Sequence, residues 1–289
     1  MYRFLDRLLN FLTIFAIVLV AFWCVYCLWD DNRVVSQAEN IRANLQEHRK
    51  SDNIDFQALQ AINPDVCAWI TIDNTNIDHP LVQGSDNREY LNRDIYGEYA
   101  VSGSIFLDTR CSRRLDDNYS LIYGHNIQGK EMFGELSKFK DEDFFEAVRG
   151  GKLYTPEATY NLRIIAYMNR GADDELIYNP DRWNSLATGV SKGGANGLAK
   201  GVSNSGASAL AKGGANGTSK GVSNEYAKEA DGGETLGDLL SVVRTKSVFC
   251  KSAELQKCVE NGEHILALST CSNEYEGARS ILIVSARIV

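Results

Sequence analysis

The sequence lacks the basic stripe with which nucleic-acid-binding domains usually contact phosphates. Its 289 residues carry 30 Lys and Arg against 38 Asp and Glu, which gives a formal net charge of -8. A nucleic-acid binder usually concentrates positive charge on one face or along one helix. This composition therefore argues against nucleic acid as a partner.

Metal-binding motifs are lacking as well. The sequence contains no H-E-x-x-H pair, no EF-hand loop and no paired C-x-x-C outside the apolar N-terminal segment. Zinc and calcium sites in proteins commonly depend on such closely spaced ligands. We therefore expect no metal centre and no other cofactor.

Cysteine occurs seven times, which is too sparse for a dense disulfide framework. An odd number leaves at least one thiol unpaired if the others form bridges. Cys24 and Cys27 lie in the apolar N-terminal run, where we expect them to serve as small apolar side chains. The sequence leaves open a disulfide among four others, Cys67, Cys111, Cys250 and Cys258.

A long apolar run occupies residues 8–29. A helix of about 22 residues is about 33 Å long, enough to cross the bilayer core. Arg3 and Arg7 precede the run and Asp30 follows it, so the positive-inside rule predicts a cytoplasmic N-terminus and an extracellular remainder. A cleaved signal peptide is the competing interpretation, but the run is longer than a usual signal-peptide core and lacks an A-x-A-like cleavage site.

Two helices are expected between the membrane span and the first strand. Apolar residues recur at helical spacing over 33–49, and a second short helix is predicted over 56–62, ended by Asn63 and Pro64. After the last strand, no second domain and no C-terminal sorting tail are expected. The predicted organisation is a cytoplasmic tail at 1–7, a membrane span at 8–29, juxtamembrane helices at 30–63 and one domain at 64–289.

Short apolar segments recur from residue 66 onward, separated by turns rich in Gly, Asn and Asp. Eight short strands with only brief helices between them favour a closed barrel or a sandwich. Helices are predicted near 132–139, 144–148 and 236–243. The predicted strands are 66–72, 77–82, 103–107, 119–123, 152–155, 161–168, 264–271 and 279–289.

Residues 186–224 interrupt this pattern with a stretch made mostly of Gly, Ala, Ser, Asn, Lys and Val. Lys-Gly-Gly-Ala-Asn-Gly at 192–197 recurs 20 positions on, at 212–217. The unit has too few large apolar residues to form a core, so we expect a flexible loop inserted into the domain. We favour a tolerated duplication without a dedicated role over contact of its four Lys residues with anionic wall polymer.

The last two predicted strands join a thiol to a cation. An apolar run stops at Cys271, a polar turn containing Gly277 follows, and Arg279 opens the final apolar run. Neighbouring strands joined by a short turn place Cys271 and Arg279 at the same end of a sheet. Because a thiol can act as a nucleophile and a guanidinium can hold a developing oxyanion, this pair is the candidate catalytic centre.

A thiol nucleophile also needs a base or an ion-pair partner, since a free Cys is mostly protonated at neutral pH. His48 is expected on an exposed helix face, and His79, before a Pro, is expected within an edge strand. His264 begins the strand that ends at Cys271, about 23 Å away. His125 instead lies at a predicted strand end, where functional loops commonly emerge, so we predict it as the partner of the thiol.

Read together, six motifs resemble those of the sortases, the membrane-anchored cysteine transpeptidases of Gram-positive bacteria, and are most similar to class B. The resemblance covers about residues 33–289 apart from the repeat. The N-terminal anchor, the juxtamembrane helix and a helix in the loop before the Cys strand are also typical of class B. The motifs are Asp-Asn-Arg-Glu-Tyr-Leu at 86–91, Gly-Ser-Ile-Phe-Leu-Asp at 103–108, Tyr-Gly-His-Asn at 123–126, Met-Phe-Gly-Glu-Leu at 132–136, Leu-Ser-Thr-Cys at 268–271 and Arg279.

The resemblance implies an eight-stranded closed sortase barrel and transpeptidation at a C-terminal sorting signal of the N-P-x-T-N or N/S-P-x-T-G type. Cys271 would attack the Thr carbonyl, His125 would protonate the leaving amine and activate the incoming one, and Arg279 would bind the oxyanion or the substrate backbone. The partners would be a surface protein bearing the signal and an amine of a lipid II-type cell-wall precursor. The enzyme would be a single-pass membrane protein with an extracellular catalytic domain.

The resemblance also implies three substrate-contacting residues, Asn87, Leu91 and Ser269. Leu91 fits an ordinary core position equally well. Asp108 could orient His125, but an Asp that caps a turn is favoured. Ser272 stands where some relatives carry Glu, and the helix that covers the substrate groove in class B shares its loop with the repeat, so the preferred signal stays open.

Two alternatives use the same barrel. A cysteine endopeptidase with the same residues would pass the acyl group to water instead of an amine. A catalytically silent barrel would only bind surface ligands, and the presence of Cys271, His125 and Arg279 argues against it.

Overall fold

The structure, a computed structural model, describes residues 2–50, 53–127, 131–184, 236–270 and 278–289. Within these ranges a β-barrel follows a long N-terminal helix. The predicted repeat at 186–224 and the predicted nucleophile Cys271 lie outside the described residues.

Eight strands of the described chain form a closed barrel whose interior is filled by Val, Ile, Leu and aromatic side chains. The strands are β1 (Val66–Ile72), β2 (Asp78–Val82), β3 (Ile105–Leu107), β4 (Tyr119–Gly124), β5 (Gly150–Tyr154), β6 (Thr159–Gly171), β7 (His264–Thr270) and β8 (Ala278–Ile288). The ring runs β6, β8, β7, β4, β3, β2, β1 and β5, and it closes because β5 pairs with both β1 and β6. This closure confirms the eight-stranded barrel and excludes the sandwich.

β1 has its predicted bounds, and the other strands differ from theirs by one to three residues at one or both ends. β3 starts only at Ile105, because Gly103 adopts a left-handed φ of 56° that a strand does not allow. A Cβ at Gly103 would lie 2.4 Å from the carbonyl oxygen of Leu91, so the position requires glycine. β6 is longer than predicted because it pairs with β5 near its start and with β8 along its length. A strand that was not predicted, Phe249–Cys250, pairs with β6 outside the ring.

Three strands bring their ends to one edge of the barrel. β7 is parallel to β4, so that Ser269 faces Tyr123 and Thr270 faces Gly124. β7 is antiparallel to β8, with Ser269 opposite Ile281, which puts the start of β8 at the same edge. Residues that follow β4 or open β8 therefore meet there.

Short helices lie between the strands. They are α3 (Glu142–Ala147), α4 (Glu175–Tyr178), α5 (Pro180–Asn184), α6 (Leu236–Lys246), α7 (Ser252–Asn261) and the 3-10 helices Glu89–Leu91 and Gly134–Lys140. α3 and α6 correspond to the helices predicted near 144–148 and 236–243. The α-helix predicted near 132–139 is instead a 3-10 helix that begins at Gly134, because Glu131–Met132 pairs with Asn126–Ile127 as a two-residue strand.

A single helix, α1 (Tyr2–Gln46), covers both the predicted membrane span and the predicted juxtamembrane helix without a break. Its apolar residues in 8–29 are mostly exposed, and by length and composition alone the helix can cross a membrane. Further along, Ala38 and Leu45 are buried, and Arg42 forms an ion pair with Glu131 at 3.3 Å. Two-residue strands Arg49–Lys50 and Asn53–Ile54 then pair, and α2 (Phe56–Ile62) begins after Asp55, whose side chain accepts a hydrogen bond from the Ala58 N–H.

Candidate active site

An open pocket of about 440 Å³ lies at the edge of the barrel where β4 ends and β8 begins. Four of the six residues predicted for the site line it, namely Asn87, Leu91, His125 and Arg279. Ser269 is fully buried next to this pocket, and Cys271 lies outside the described residues. The fold thus brings together side chains that are far apart in the sequence.

His125 follows β4 directly, and its ring is half-buried. The ring faces the backbone of Leu91, and its Nε2 has no partner among the described residues. Burial lowers the pKa of His125 below its ordinary value, although the hydrogen bond to Leu91 acts in the opposite direction. At neutral pH the ring is therefore uncharged, as a general base requires.

β7 ends beside the end of β4. Thr270 is the last described residue before Cys271, and it lies opposite Gly124, the residue before His125. Gly124 is buried, and a Cβ there would lie 2.8 Å from the ring of Phe133. A glycine is therefore needed for the chain to pass under Phe133 on its way to His125.

Arg279 is held at the pocket by an aromatic side chain that sequence reasoning missed. Its guanidinium carbon lies 5.4 Å from the ring centroid of Tyr178, a cation–π contact. The Tyr178 hydroxyl lies 2.8 Å from the Oγ of Ser269, and its ring stacks on Tyr123 at 6.4 Å. Among the described residues, Tyr178 connects Ser269 to the pocket. Tyr178 ends the four-residue helix α4, which has no periodicity that would have marked it in the sequence.

Asp108 caps a turn and pairs with Arg110. Its carboxylate accepts hydrogen bonds from the backbone N–H of Arg110 at 3.0 Å and from the guanidinium at 2.9 and 2.7 Å. It also accepts one from the Tyr123 hydroxyl at 3.1 Å. Burial acts to raise the pKa of Asp108, but the hydrogen bonds from Arg110 hold it below its ordinary value. These contacts confirm the turn-capping interpretation over one in which Asp108 orients His125.

Asn87 and Leu91 form another wall of the pocket. The Oδ1 of Asn87 accepts a hydrogen bond from the Thr109 N–H at 2.8 Å, which fixes the orientation of its amide. Leu91 packs partly against the core, and its backbone interacts with the His125 ring. Both interpretations of Leu91, pocket residue and core residue, therefore describe its position.

The other three His residues lie away from this pocket. His264 is at the opposite end of β7, with Nδ1 2.6 Å from the Asp117 carbonyl oxygen. His79 is buried in β2, and burial lowers its pKa to about 4. β2 is not an edge strand, because Leu81 and Val82 pair on both sides. His79 and Pro80 pair only with β1, which is why a Pro is tolerated there. His48 follows the end of α1 and is half-buried, so it does not lie on an exposed helix face.

The thiols of the described barrel domain are not activated. Burial raises the pKa of Cys67, Cys111 and Cys258 to about 12 and also raises that of Cys250. All four are free, so no disulfide joins them. A thiol with such a pKa is protonated at neutral pH and is a poor nucleophile.

The closed barrel matches solved sortase structures in its fold. No family model matches the chain. The crystal structure of a class B sortase from Streptococcus pyogenes that is involved in pilus biogenesis superposes with a TM-score of 0.55 at 28% identity, covering 81% of this chain and 98% of that one.

Curated relatives point to the same class. The chain is 36% identical to sortase B of Listeria monocytogenes over 118 residues, which are 41% of this chain and 47% of that protein. It is 26% identical to sortase B of Staphylococcus aureus over 181 residues, 59% of this chain and 74% of that protein. The match thus spans about half the length of the Listeria relative. These similarities support a class B sortase.

Proposed function

We propose that the chain is a membrane-anchored cysteine transpeptidase whose nucleophile is Cys271. The pairing of Thr270 with Gly124 is the main support for this proposal, because Cys271 directly follows Thr270 and His125 directly follows Gly124 in the sequence. The adjoining pocket exposes Arg279 to the same space. The described thiols of the barrel domain are buried or half-buried with raised pKa values, which leaves Cys271 as the candidate.

The proposed reaction passes through a thioester. Nε2 of His125 takes the proton of the Cys271 thiol as the sulfur attacks the carbonyl carbon of a Thr in the substrate. Arg279 stabilises the resulting oxyanion. His125 then gives the proton to the leaving nitrogen as the C–N bond breaks. An incoming amine attacks the thioester, His125 accepts its proton, and the departing sulfur takes that proton back.

The proposed substrate is a surface protein with a C-terminal signal of the N-P-x-T-N or N/S-P-x-T-G type. Asn87 and Leu91 lie beside His125, where they would contact the residues around the scissile bond. Ser269 would act through Tyr178, to which it is hydrogen-bonded. The proposed acceptor is an amine of a lipid II-type cell-wall precursor, which would make the reaction a covalent anchoring step.

The proposed location is the outer face of a cell membrane. The apolar residues 8–29 of α1 would span the bilayer, with the tail at 1–7 in the cytoplasm. Residues 30–63 would connect the span to an extracellular catalytic domain at 64–289, into which 186–224 is inserted. The exposure of the apolar residues of α1 supports this arrangement, since such a surface is stable in lipid and not in water.

Transfer assays test this function. The full chain is incubated with labelled sorting peptides, with and without a soluble peptide amine. We expect amine-dependent transfer that is lost in Cys271→Ala and strongly reduced in His125→Ala, whereas Cys250→Ala, a matched change at a half-buried thiol, retains it. Hydrolysis without transfer at every amine concentration would instead indicate an endopeptidase. Peptide binding without any turnover would indicate a silent barrel.

A further inference from the structure

We propose that Tyr99 and Val101 contact the lipid headgroup layer and hold the His125 side of the barrel at the bilayer surface. This inference rests on the proposed anchoring through α1. Tyr99 is 73% exposed and Val101 is 46% exposed. Apolar side chains that are exposed together at one place mark an interaction surface.

The position of this surface along α1 identifies the membrane as its partner. Tyr99 and Val101 line a groove of about 360 Å³ together with Asp30 and Arg33 of α1. Asp30 directly follows the apolar run at 8–29. Because the headgroup layer on each side of a bilayer is roughly 5 to 8 Å thick and a helix rises 1.5 Å per residue, the near edge of the groove falls within that layer.

The side chains around the groove suit this environment. Tyr and Trp are enriched at membrane–water interfaces. Arg33 lies over the ring of Trp29, with its guanidinium carbon 5.7 Å from the centroid, so a cation extends from the end of the apolar run toward the level of lipid phosphates. The surface is thus continuous with the apolar span, which favours lipid over a protein partner.

The contact would have a consequence for catalysis. Asn126 and Ile127 line the same groove, and they directly follow His125. A barrel resting on Tyr99 and Val101 would present His125 next to the bilayer, from which a membrane-linked amine arrives. Transfer to such an amine should therefore depend on this surface more than transfer to a soluble amine.

Tyr96 offers a matched control, because it lies in the same segment as Tyr99 and Val101, between the 3-10 helix Glu89–Leu91 and β3. Tyr96 is 42% exposed, comparable to Val101. Its neighbour Ile95 lines a small cavity together with Leu45 of α1. The same cavity is lined by α1 from Ala38 to Leu45, which lie 8 and 15 residues beyond Asp30, or about 12 and 22 Å along the helix, so Tyr96 is beyond the headgroup layer.

Fluorescence quenching tests the contact without any need for turnover. Tyr99→Trp and Tyr96→Trp variants of the full chain are placed in phospholipid vesicles, and the emission of the unaltered chain is subtracted. We expect headgroup spin-labelled lipid to remove most of the added emission of Tyr99→Trp, and aqueous acrylamide to remove that of Tyr96→Trp. Equal acrylamide quenching of both variants without lipid quenching would overturn the proposal. Protection of Tyr99→Trp from both quenchers would also overturn it, in favour of a protein contact such as a second copy.

Acceptor choice gives an independent readout. The double variant Tyr99→Ser with Val101→Ser should transfer several-fold more slowly to a peptide amine attached to a phospholipid, and at an unchanged rate to the same amine in solution. Tyr96→Ser should change neither rate. An equal fall with both acceptors would overturn the proposal in favour of a folding role. If the unaltered chain transfers to neither amine, the proposed transpeptidase function fails, while the quenching result still decides the membrane contact.

Discussion

Thr270 and Gly124 face each other across the parallel strands β7 and β4, at the edge of the barrel where the pocket opens. Parallel strands leave a sheet in the same direction, so the residues that follow them emerge side by side. In the sequence His125 follows Gly124 and Cys271 follows Thr270, and the proposed transpeptidase activity rests on this register.

The approach of β4 to Phe133 predicts the effect of Gly124→Ala. The added Cβ would lie 2.8 Å from the Phe133 ring, so we expect a loss of about 1–3 kcal/mol in the free energy of unfolding together with slower peptide transfer, since His125 would be displaced. Denaturant unfolding and transfer assays measure both. In a double-mutant cycle, Phe133→Leu should recover part of the loss. If Gly124→Ala left both the free energy of unfolding and the transfer rate unchanged, the space between Gly124 and Phe133 would have to be large enough for a methyl group.

The contact between Arg279 and Tyr178 predicts a graded effect. Tyr178→Leu removes the ring under the guanidinium, and a loss of about 1–2 kcal/mol of transition-state stabilisation corresponds to a fall in kcat of roughly 5- to 30-fold. Tyr178→Phe keeps the ring and loses only the hydrogen bond to Ser269, so its kcat should fall less. Steady-state kinetics separate kcat from KM. Equal kcat in the two variants would argue against the cation–π contact.

The role of Asp108 as a turn cap predicts a structural effect alone. Asp108→Asn weakens the pairing with Arg110, and we expect a loss of about 1–3 kcal/mol in the free energy of unfolding. Because Asp108 bonds Arg110 and Tyr123, the pH profile of transfer should keep its wild-type shape. A shift of the rise or fall of the transfer rate to another pH would instead mean that Asp108 acts on His125.

His79 predicts a loss of stability in acid. Its pKa is about 4 in the folded protein and 6.5 ordinarily, chiefly through burial, with the Arg42 charge acting in the same direction and Asp78 against it. In the unfolded chain His79 therefore binds a proton below about pH 6.5, whereas in the folded protein it binds one only below about pH 4. The stabilisation is present above pH 6.5 and is lost as pH falls, by about 3 kcal/mol over this window.

Denaturant unfolding in detergent at pH 7 and pH 5 checks this expectation. His79→Leu places an apolar side chain where Nε2 has no partner among the described residues, so this variant should lose less stability than the wild type between the two pH values. An identical pH dependence in both proteins would contradict the assignment to His79.

Much of the barrel and part of the site could be predicted from the sequence. Each strand is a short apolar run bounded by turn residues, and both His125 and Arg279 stand at an end of such a run. The sequence pattern alone could not separate a barrel from a sandwich, because closure depends on the second pairing of β5, a long-range contact.

Other features depend on three-dimensional contacts that leave no local pattern. Tyr178 reaches Arg279 and Ser269 only because α4 folds back over the end of β7. The change in polarity at Asp30 predicts a boundary between a membrane span and a separate helix, whereas α1 is unbroken because backbone hydrogen bonding continues regardless of side-chain polarity.

Mass spectrometry of the full chain with a sorting peptide tests the central claim most directly. Without an amine acceptor, the acyl part of the peptide should appear as a thioester on Cys271, and an added amine should discharge it. Cys271→Ala should carry no adduct, and His125→Ala should form it far more slowly. An adduct on another cysteine, or peptide transfer without any adduct on Cys271, would contradict the assignment of this residue as the nucleophile.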